Sequence, residues 1–277
     1  MRAIFWVLVP AVCGSLMGQE APILRDFRNQ LDLMANQRNP AAVRKPETFE
    51  KAEEALSTAS PEDVKALLPS ARLCLKSDLE AVRLNGVAVF MGVAIRMDSA
   101  DLLVDYIPDL GALTDGSGRI WSSAVFVLGV LHPRPPADVI PYLEPHLADE
   151  DNTDLGFEQL AGALLAVAPN NDRTVNEIIT VARKRGGHAP GAAIEALMAE
   201  KTTNEAALQF VGEALNSSDP AGRNAAVCAL GGRPDIMSRF VPRLRQIAAD
   251  ETEGRQTREV AAEDLKGLKQ YQDSRIR

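Results

Sequence analysis

Apolar residues recur every three or four positions along most of the chain, and short breaks rich in proline and glycine separate the segments with this spacing. Because Pro and Gly end one helix and precede the next, the pattern predicts a succession of short α-helices. The predicted helices form six pairs, with first members at 61–76, 99–113, 137–148, 172–185, 204–216 and 236–249 and second members at 78–96, 117–131, 153–167, 191–199, 220–230 and 256–272.

Several of the predicted second helices are apolar on almost every side. The segments 87–95 and 124–131 contain no charged residue, so helices formed there must be covered on most faces. A stacked array supplies that cover, because each helix pair lies between two neighbouring pairs. The last helix differs, since Ala261, Leu265 and Leu268 share one face while charged residues occupy the others. That amphipathic pattern is typical of a terminal cap.

Two segments of the chain, 78–92 and 219–231, share a common form. Each begins with Asp, carries Arg four or five residues later, and continues through small and apolar residues to a Gly. A third copy starts at Arg119, which follows Arg83 by 36 residues. A spacing in the mid-thirties suits a repeating unit of two short helices and two turns.

The segment 219–231 has the form Asp-Pro-x-x-Arg-x-x-Ala-x-x-Ala-Leu-Gly, which resembles the second half of a HEAT repeat. The resemblance covers residues 61–272 and is weakest at 152–200, where the Asp and Arg are missing. It implies an all-α α-solenoid, a right-handed superhelix of HEAT-like helix pairs whose concave face mostly contacts proteins. The family contains few enzymes, and it also includes lyase-type repeats that attach bilins to phycobiliproteins.

The repeated Asp and Arg have a physical role in such an array. Asp caps a helix, and the Arg of a neighbouring repeat is expected to bond to it. This predicts that four residues are structural anchors of the repeats: Asp78, Arg83, Asp219 and Arg223.

The first residues have the order of a secretory signal, with one basic residue, Arg2, before an apolar stretch too short to span a bilayer. This predicts a signal peptide at 1–18, cleaved after Gly18, with Gly14 as the second candidate position. A lipid anchor on Cys13 is an alternative, but the residue before it departs from the bacterial lipobox pattern. The mature protein is therefore expected to be exported, as a periplasmic or secreted protein.

Two weaker helical segments within 19–60 predict a pair of capping helices, so the repeat array with its C-terminal cap occupies 61–277. No predicted segment would span a membrane once the signal is removed. The chain has 30 basic and 38 acidic residues and a net charge of -8. Because a nucleic-acid-binding protein usually has a basic surplus, this balance argues against a nucleic-acid partner.

The sequence offers little for a metal or cofactor. The three histidines show no zinc-binding spacing. The acidic string at 149–154 lacks the Gly and the final Glu of a calcium loop, so a solvated turn is favoured over a calcium site. Cys74 and Cys228 are interpreted as buried small hydrophobic residues. No cofactor and no metal are predicted.

A binding surface is predicted on the concave face, where the second helices would present their polar residues. Trp121 either anchors a partner or packs between repeats, and packing is the favoured alternative. The candidate residues for this surface are Arg83, Asn85, Arg119, Trp121, Glu158, Glu195 and Arg223.

The absence of a recognisable catalytic motif favours an exported, non-catalytic repeat scaffold that binds a protein or a peptide. A lyase-type or accessory enzyme with a pocket on the concave face is the alternative, and it requires the polar residues of the second helices to converge. A third hypothesis is a domain of an envelope complex tethered through its N-terminus. A small-molecule substrate is not expected.

Overall fold

The structure, a computed structural model, describes residues 22–36, 46–115, 118–149 and 154–275. The predicted signal peptide with its cleavage sites and Cys13, and most of the acidic string, lie outside these residues. Within the described ranges the secondary structure is helical, and no strand occurs. The α-helices are α1 Pro22–Ala35, α2 Pro46–Thr58, α3 Pro61–Leu75, α4 Glu80–Ala94, α5 Ser99–Leu103, α6 Ile107–Gly111, α7 Gly118–Gly129, α8 Ile140–Leu143, α9 Asp154–Val167, α10 Asp172–Arg185, α11 Ala189–Ala199, α12 Glu205–Leu215, α13 Pro220–Leu230, α14 Pro234–Met237, α15 Val241–Ala249 and α16 Arg255–Arg275.

The helices pack in two layers. One layer contains the second helices α2, α4, α7, α9, α11, α13 and α16, and each of these contacts the next in the series. The other contains the first helices, and each pair is closed by contacts such as α3 with α4, α10 with α11 and α12 with α13. A single hydrophobic core runs between the layers from Leu24 to Leu268. The predicted all-α α-solenoid is confirmed.

Three first helices are not continuous, in contrast to the prediction. A 3-10 turn separates α5 from α6, further 3-10 turns flank α8, and another lies between α14 and α15. Pro108, Pro141, Pro145 and Pro242 each stand at the beginning of a new helical segment. Proline has no N–H to donate to the preceding turn, so a fresh segment starts at each of these positions.

The repeat anchors differ from the prediction in their partners. Asp219 does cap α13, because its carboxylate accepts hydrogen bonds from the N–H groups of Ala221 and Gly222. Asp78 does not cap α4, which begins after Leu79 without a side-chain cap. Asp78 therefore lies one residue before the N-cap position that Asp219 occupies in α13.

The anchor arginines donate to a backbone carbonyl rather than to a neighbouring Asp. Arg83 Nη1 lies 2.8 Å from Ser77 O, and Arg223 Nη1 lies 2.7 Å from Ser217 O. The two contacts are equivalent, since each joins an arginine to the residue six positions earlier. Arg223 also donates from Nε to the carboxylate of Glu253 in the next repeat, at 2.6 Å. Glu253 thus takes the place that the prediction gave to an Asp.

Two further arginines join consecutive repeats, and the sequence analysis missed them. Arg233 is 3% exposed and donates to the carbonyl oxygens of Met198 and Thr202 at the end of α11. It also makes two bonds to the carboxylate of Asp235. Arg96 repeats the arrangement, bonding Asp98 and reaching two carbonyls at the end of α2. An Arg-x-Asp sequence directly after a second helix is the signal that would have found both.

Candidate binding groove on the second helices

A groove of about 610 Å³ crosses the second-helix layer between α9, α11, α13 and the beginning of α16. We call it the second-helix groove. Its floor consists of small residues from the N-terminal halves of α11 and α13 and the turn before α11, among them Gly187, Pro190, Gly191, Ala192, Ala221 and Gly222. Its polar lining comes from Glu158, His188, Glu195, Asp219, Asn224, Cys228 and Gln256.

The floor consists of small side chains because the first turns of α11 and α13 contain Pro, Gly and Ala. A Cβ placed on Gly191 would lie 3.3 Å from the Cβ of Ala225, so the two helices approach closely at this point. Small side chains leave the backbone near the surface of the groove. A ligand lying in the groove would therefore contact flat, nearly featureless helix surfaces between the polar groups.

Two carboxylates stand in the groove without a cation. No hydrogen bond or ion pair joins Glu158 or Glu195 to any described residue. Burial raises the pKa of the Glu158 carboxyl above its ordinary value, and the negative charge of Glu195 raises it further. Both effects disfavour the charged form of Glu158, and a positive charge between the two carboxylates would offset the repulsion from Glu195.

Asn224 is a polar residue of the groove that the sequence analysis did not select. The hydroxyl of Thr257, which is 5% exposed, donates to Asn224 Oδ1 at 3.0 Å. The oxygen of the amide is therefore engaged by Thr257. The Nδ2 group has no hydrogen-bond partner among the described residues, so two N–H donors remain available to a ligand.

Cys228 is exposed in the groove, whereas the sequence analysis interpreted it as buried. The reason is its position on α13, because Cys228 lies on the side of this helix that lines the groove, as Glu195 does on α11. Partial burial of the sulfur, followed by the charges of Asp264 and Glu195, raises the pKa of this thiol above its ordinary value. A thiol with a raised pKa is a weak nucleophile at neutral pH. Cys74 is buried as predicted, and burial raises its pKa to about 12.

The other predicted site residues lie elsewhere. Arg83 and Arg223 make the structural contacts described above. Asn85 donates back to Ala81 O in its own helix, and Arg119 is exposed at the beginning of α7. Of the seven candidates, the structure therefore brings two together in the groove, Glu158 and Glu195.

Trp121 packs in the hydrophobic core with 9% of its surface exposed, so the packing alternative describes it. It is the fourth residue of α7, and Arg83 and Arg223 are the fourth residues of α4 and α13. Arg119, which the sequence spacing aligned with these arginines, is the second residue of its helix. The repeat is therefore shifted by two positions from the one that the sequence suggested.

Several charged residues on the first helices form ion pairs with one another. Adjacent first helices are linked by ion pairs that join Arg183 to Glu213 and Arg239 to Glu205. Arg72 with Asp109 and Arg173 with Glu144 make the same kind of link in other repeats. Arg239 is thus neutralised within the fold. The groove carboxylates lack such partners, which distinguishes the two surfaces.

Two absences are specific to the described residues. In those ranges no group of three or more His, Cys, Asp and Glu side chains is arranged to hold a metal ion. No helix in the described part of the chain combines the length and the apolar character needed to cross a bilayer.

Comparisons with known proteins find similarity among solved structures. No protein-family model matches the chain. No curated protein matches it either. Among solved structures, the designed armadillo repeat protein YIII(Dq)4CqI is similar with a TM-score of 0.43 and 14% sequence identity, over 86% of this chain and 98% of its own.

Proposed function

We propose that this protein is an exported, non-catalytic scaffold of HEAT-type repeats that binds a protein or peptide through the second-helix groove. The observation that carries the proposal is an open groove across consecutive second helices whose polar groups, Glu158, Glu195 and the amide of Asn224, retain unused bonding capacity. Solenoids of stacked helix pairs commonly use such extended surfaces to bind other proteins.

The positions of the candidate residues favour binding over catalysis. An enzyme of the lyase type would need the polar residues of several second helices to converge on one point. Arg223 instead pairs with Glu253, and Asn85 bonds its own helix. The thiol of Cys228, with its raised pKa, has the wrong tendency for a nucleophile.

Site-specific photo-crosslinking tests the proposed surface. A photoreactive amino acid replaces Ala221, which is exposed in the groove, and in a matched variant it replaces Ala66, which is exposed on the first helix α3. After irradiation in cells, we expect one defined crosslinked product from the Ala221 variant and none from the Ala66 variant. Equal products from both positions, or none from either, would refute a binding role for the groove.

Export is tested separately by mass spectrometry of the protein recovered from the cell envelope or the medium. We expect the chain to begin at Gln19, which corresponds to cleavage after Gly18. A chain that begins at Cys13 with a diacylglyceryl group would replace the proposed free protein with a lipid-anchored one. A full-length chain in the cytoplasmic fraction would contradict export.

A further inference from the structure

Consecutive second helices present equivalent positions to the groove. A shift of 33 residues superimposes the buried residues of α11 on those of α13, as in Ala193 with Ala226 and Leu197 with Leu230. By the same shift Glu195 corresponds to Cys228, and Gly191 corresponds to Asn224. Glu195 and Cys228 thus place polar groups at equivalent positions of two neighbouring helices, whose axes in packed pairs lie about 8 to 10 Å apart.

The charge of the groove points to a positively charged ligand. Glu158 and Glu195 interact with each other unfavourably and have no cation among the described residues. On the first helices, by contrast, arginines of one repeat neutralise the acids of the next, as Arg183 does with Glu213. One cationic side chain placed between the two groove carboxylates would remove their repulsion and form charge-assisted hydrogen bonds.

The remaining groups of the groove suit an extended main chain. The Nδ2 donors of Asn224 lie one helix beyond Glu195 and match a peptide carbonyl oxygen. The floor of Gly and Ala lets a backbone lie flat across α11 and α13. Crossing three helices covers about 20 Å, which an extended peptide spans with about six residues.

We propose that the second-helix groove binds an extended peptide segment of a partner protein, with one Arg or Lys side chain seated between Glu158 and Glu195 and a backbone carbonyl accepting from Asn224. This rests on the proposed function and specifies the chemistry of its partner. The binding is expected to weaken as salt is added, because the contacts to the exposed carboxylate of Glu195 are screened.

The test uses the full-length mature chain and a synthetic peptide of Gly, Ser and Ala with one central Arg. Its length, about nine residues, exceeds the span of the groove at ~3.3 Å per residue. A second peptide carries Gln in place of Arg. Binding is followed by the shifts of backbone amide NMR signals on titration. We expect the Arg peptide to bind about tenfold more tightly than the Gln peptide, with shifts confined to α9, α11 and α13.

Variants separate the two halves of the site. Glu158→Gln and Glu195→Gln should each weaken the Arg peptide about fivefold to tenfold and leave the Gln peptide unchanged. Asn224→Ala should weaken both peptides, since its contact is to the backbone. The control is Glu80→Gln, which removes the same charge from an exposed position on α4. Loss of a repelling carboxylate does not destabilise the fold, so weaker binding by either groove variant reports the contact itself.

Three outcomes would overturn the inference. The first is equal affinity for the Arg and Gln peptides, and the second is no shift at the groove with either peptide. The third is displacement of the Arg peptide by an equal concentration of arginine amide, which would show that a single cation is the ligand. A defined crosslink at Ala221 together with any of these results would leave the proposed scaffold function standing and remove only the cationic peptide.

Discussion

The ion pair between Arg223 and Glu253 allows a sharp test of what joins α13 to the last repeat. The Arg223 side chain is 15% exposed and that of Glu253 is 4% exposed. In Arg223→Ala, Glu253 would keep only the hydrogen bond from the N–H of Gly254 at 3.0 Å. Removing one partner of a buried ion pair costs about 3 to 5 kcal/mol, because the other charge is left without compensation.

Arg83→Ala is the matched control, since Arg83 makes the equivalent bond to Ser77 O but bonds no carboxylate among the described residues. Losing that bond should cost about 1 kcal/mol. We therefore expect Arg223→Ala to lower the free energy of unfolding by about 2 to 4 kcal/mol more than Arg83→Ala. Urea unfolding followed by far-UV circular dichroism measures both changes.

The pH dependence provides a second readout. The hydrogen bond from Arg223 is the main cause that holds the pKa of Glu253 below its ordinary value of 4.5. A folded pKa below the unfolded one stabilises the fold at pH values above about 4.5, and this contribution is lost as the pH falls through the folded pKa. In Arg223→Ala, burial and the charge of Asp250 raise this pKa and outweigh the remaining hydrogen bond from Gly254, so lowering the pH from neutral should recover part of the lost stability.

A cost of Arg223→Ala no larger than that of Arg83→Ala would refute this role of the ion pair. An unchanged cost of Arg223→Ala when Glu253 is replaced by Gln would refute it as well. In that background no buried charge is left behind, and the arginine should be worth only about 1 kcal/mol.

Two further predictions concern α7 and α16. A Cβ on Gly129 would lie 2.6 Å from the Cβ of Ala163, so Gly129→Ala should lower the free energy of unfolding by about 1 to 3 kcal/mol. Gly162 has open space around it, so Gly162→Ala should leave the free energy of unfolding unchanged or raise it by up to about 1 kcal/mol. Urea unfolding compares the two variants, and equal effects would contradict this packing. Burial raises the pKa of Asp264 from 3.8 to about 6, so the contribution of Asp264 to stability should fall as the pH rises between these values. Asp264→Asn should therefore gain roughly 1 to 2 kcal/mol over the native protein at neutral pH, the full shift being reduced by solvent screening, and thermal melts from pH 4 to 7 that run parallel for both proteins would refute this.

The sequence predicted the order of the helices well, because Pro and Gly mark the turns and an apolar stripe marks each helix. The predicted 172–185 and 220–230 match α10 and α13 as observed. It did not predict the interruptions at Pro108 and Pro242, since a Pro such as Pro69 also stands inside an unbroken helix. Whether a proline breaks a helix depends on packing that a local pattern does not contain.

The candidate site was predicted less completely than the fold. Glu158 and Glu195 were selected as polar residues on second helices, and the structure places both in one groove. Asn224 was missed because its role depends on Thr257, which lies in the following repeat. Arg223 was selected for the same reason as the two glutamates, yet its partner Glu253 lies in the loop before α16. Contacts between repeats decide these roles, and one repeat alone does not reveal them.

The arginines that reach back to the preceding second helix have a consequence for folding. Arg96 and Arg233 bond carbonyls that lie 31 to 40 residues earlier in the chain. These hydrogen bonds therefore connect adjacent repeats and close only short loops, which gives the array a low contact order. Such a chain is expected to begin folding at several places and to unfold from its ends. The bonds of each arginine must break before the two helix pairs that it joins can separate.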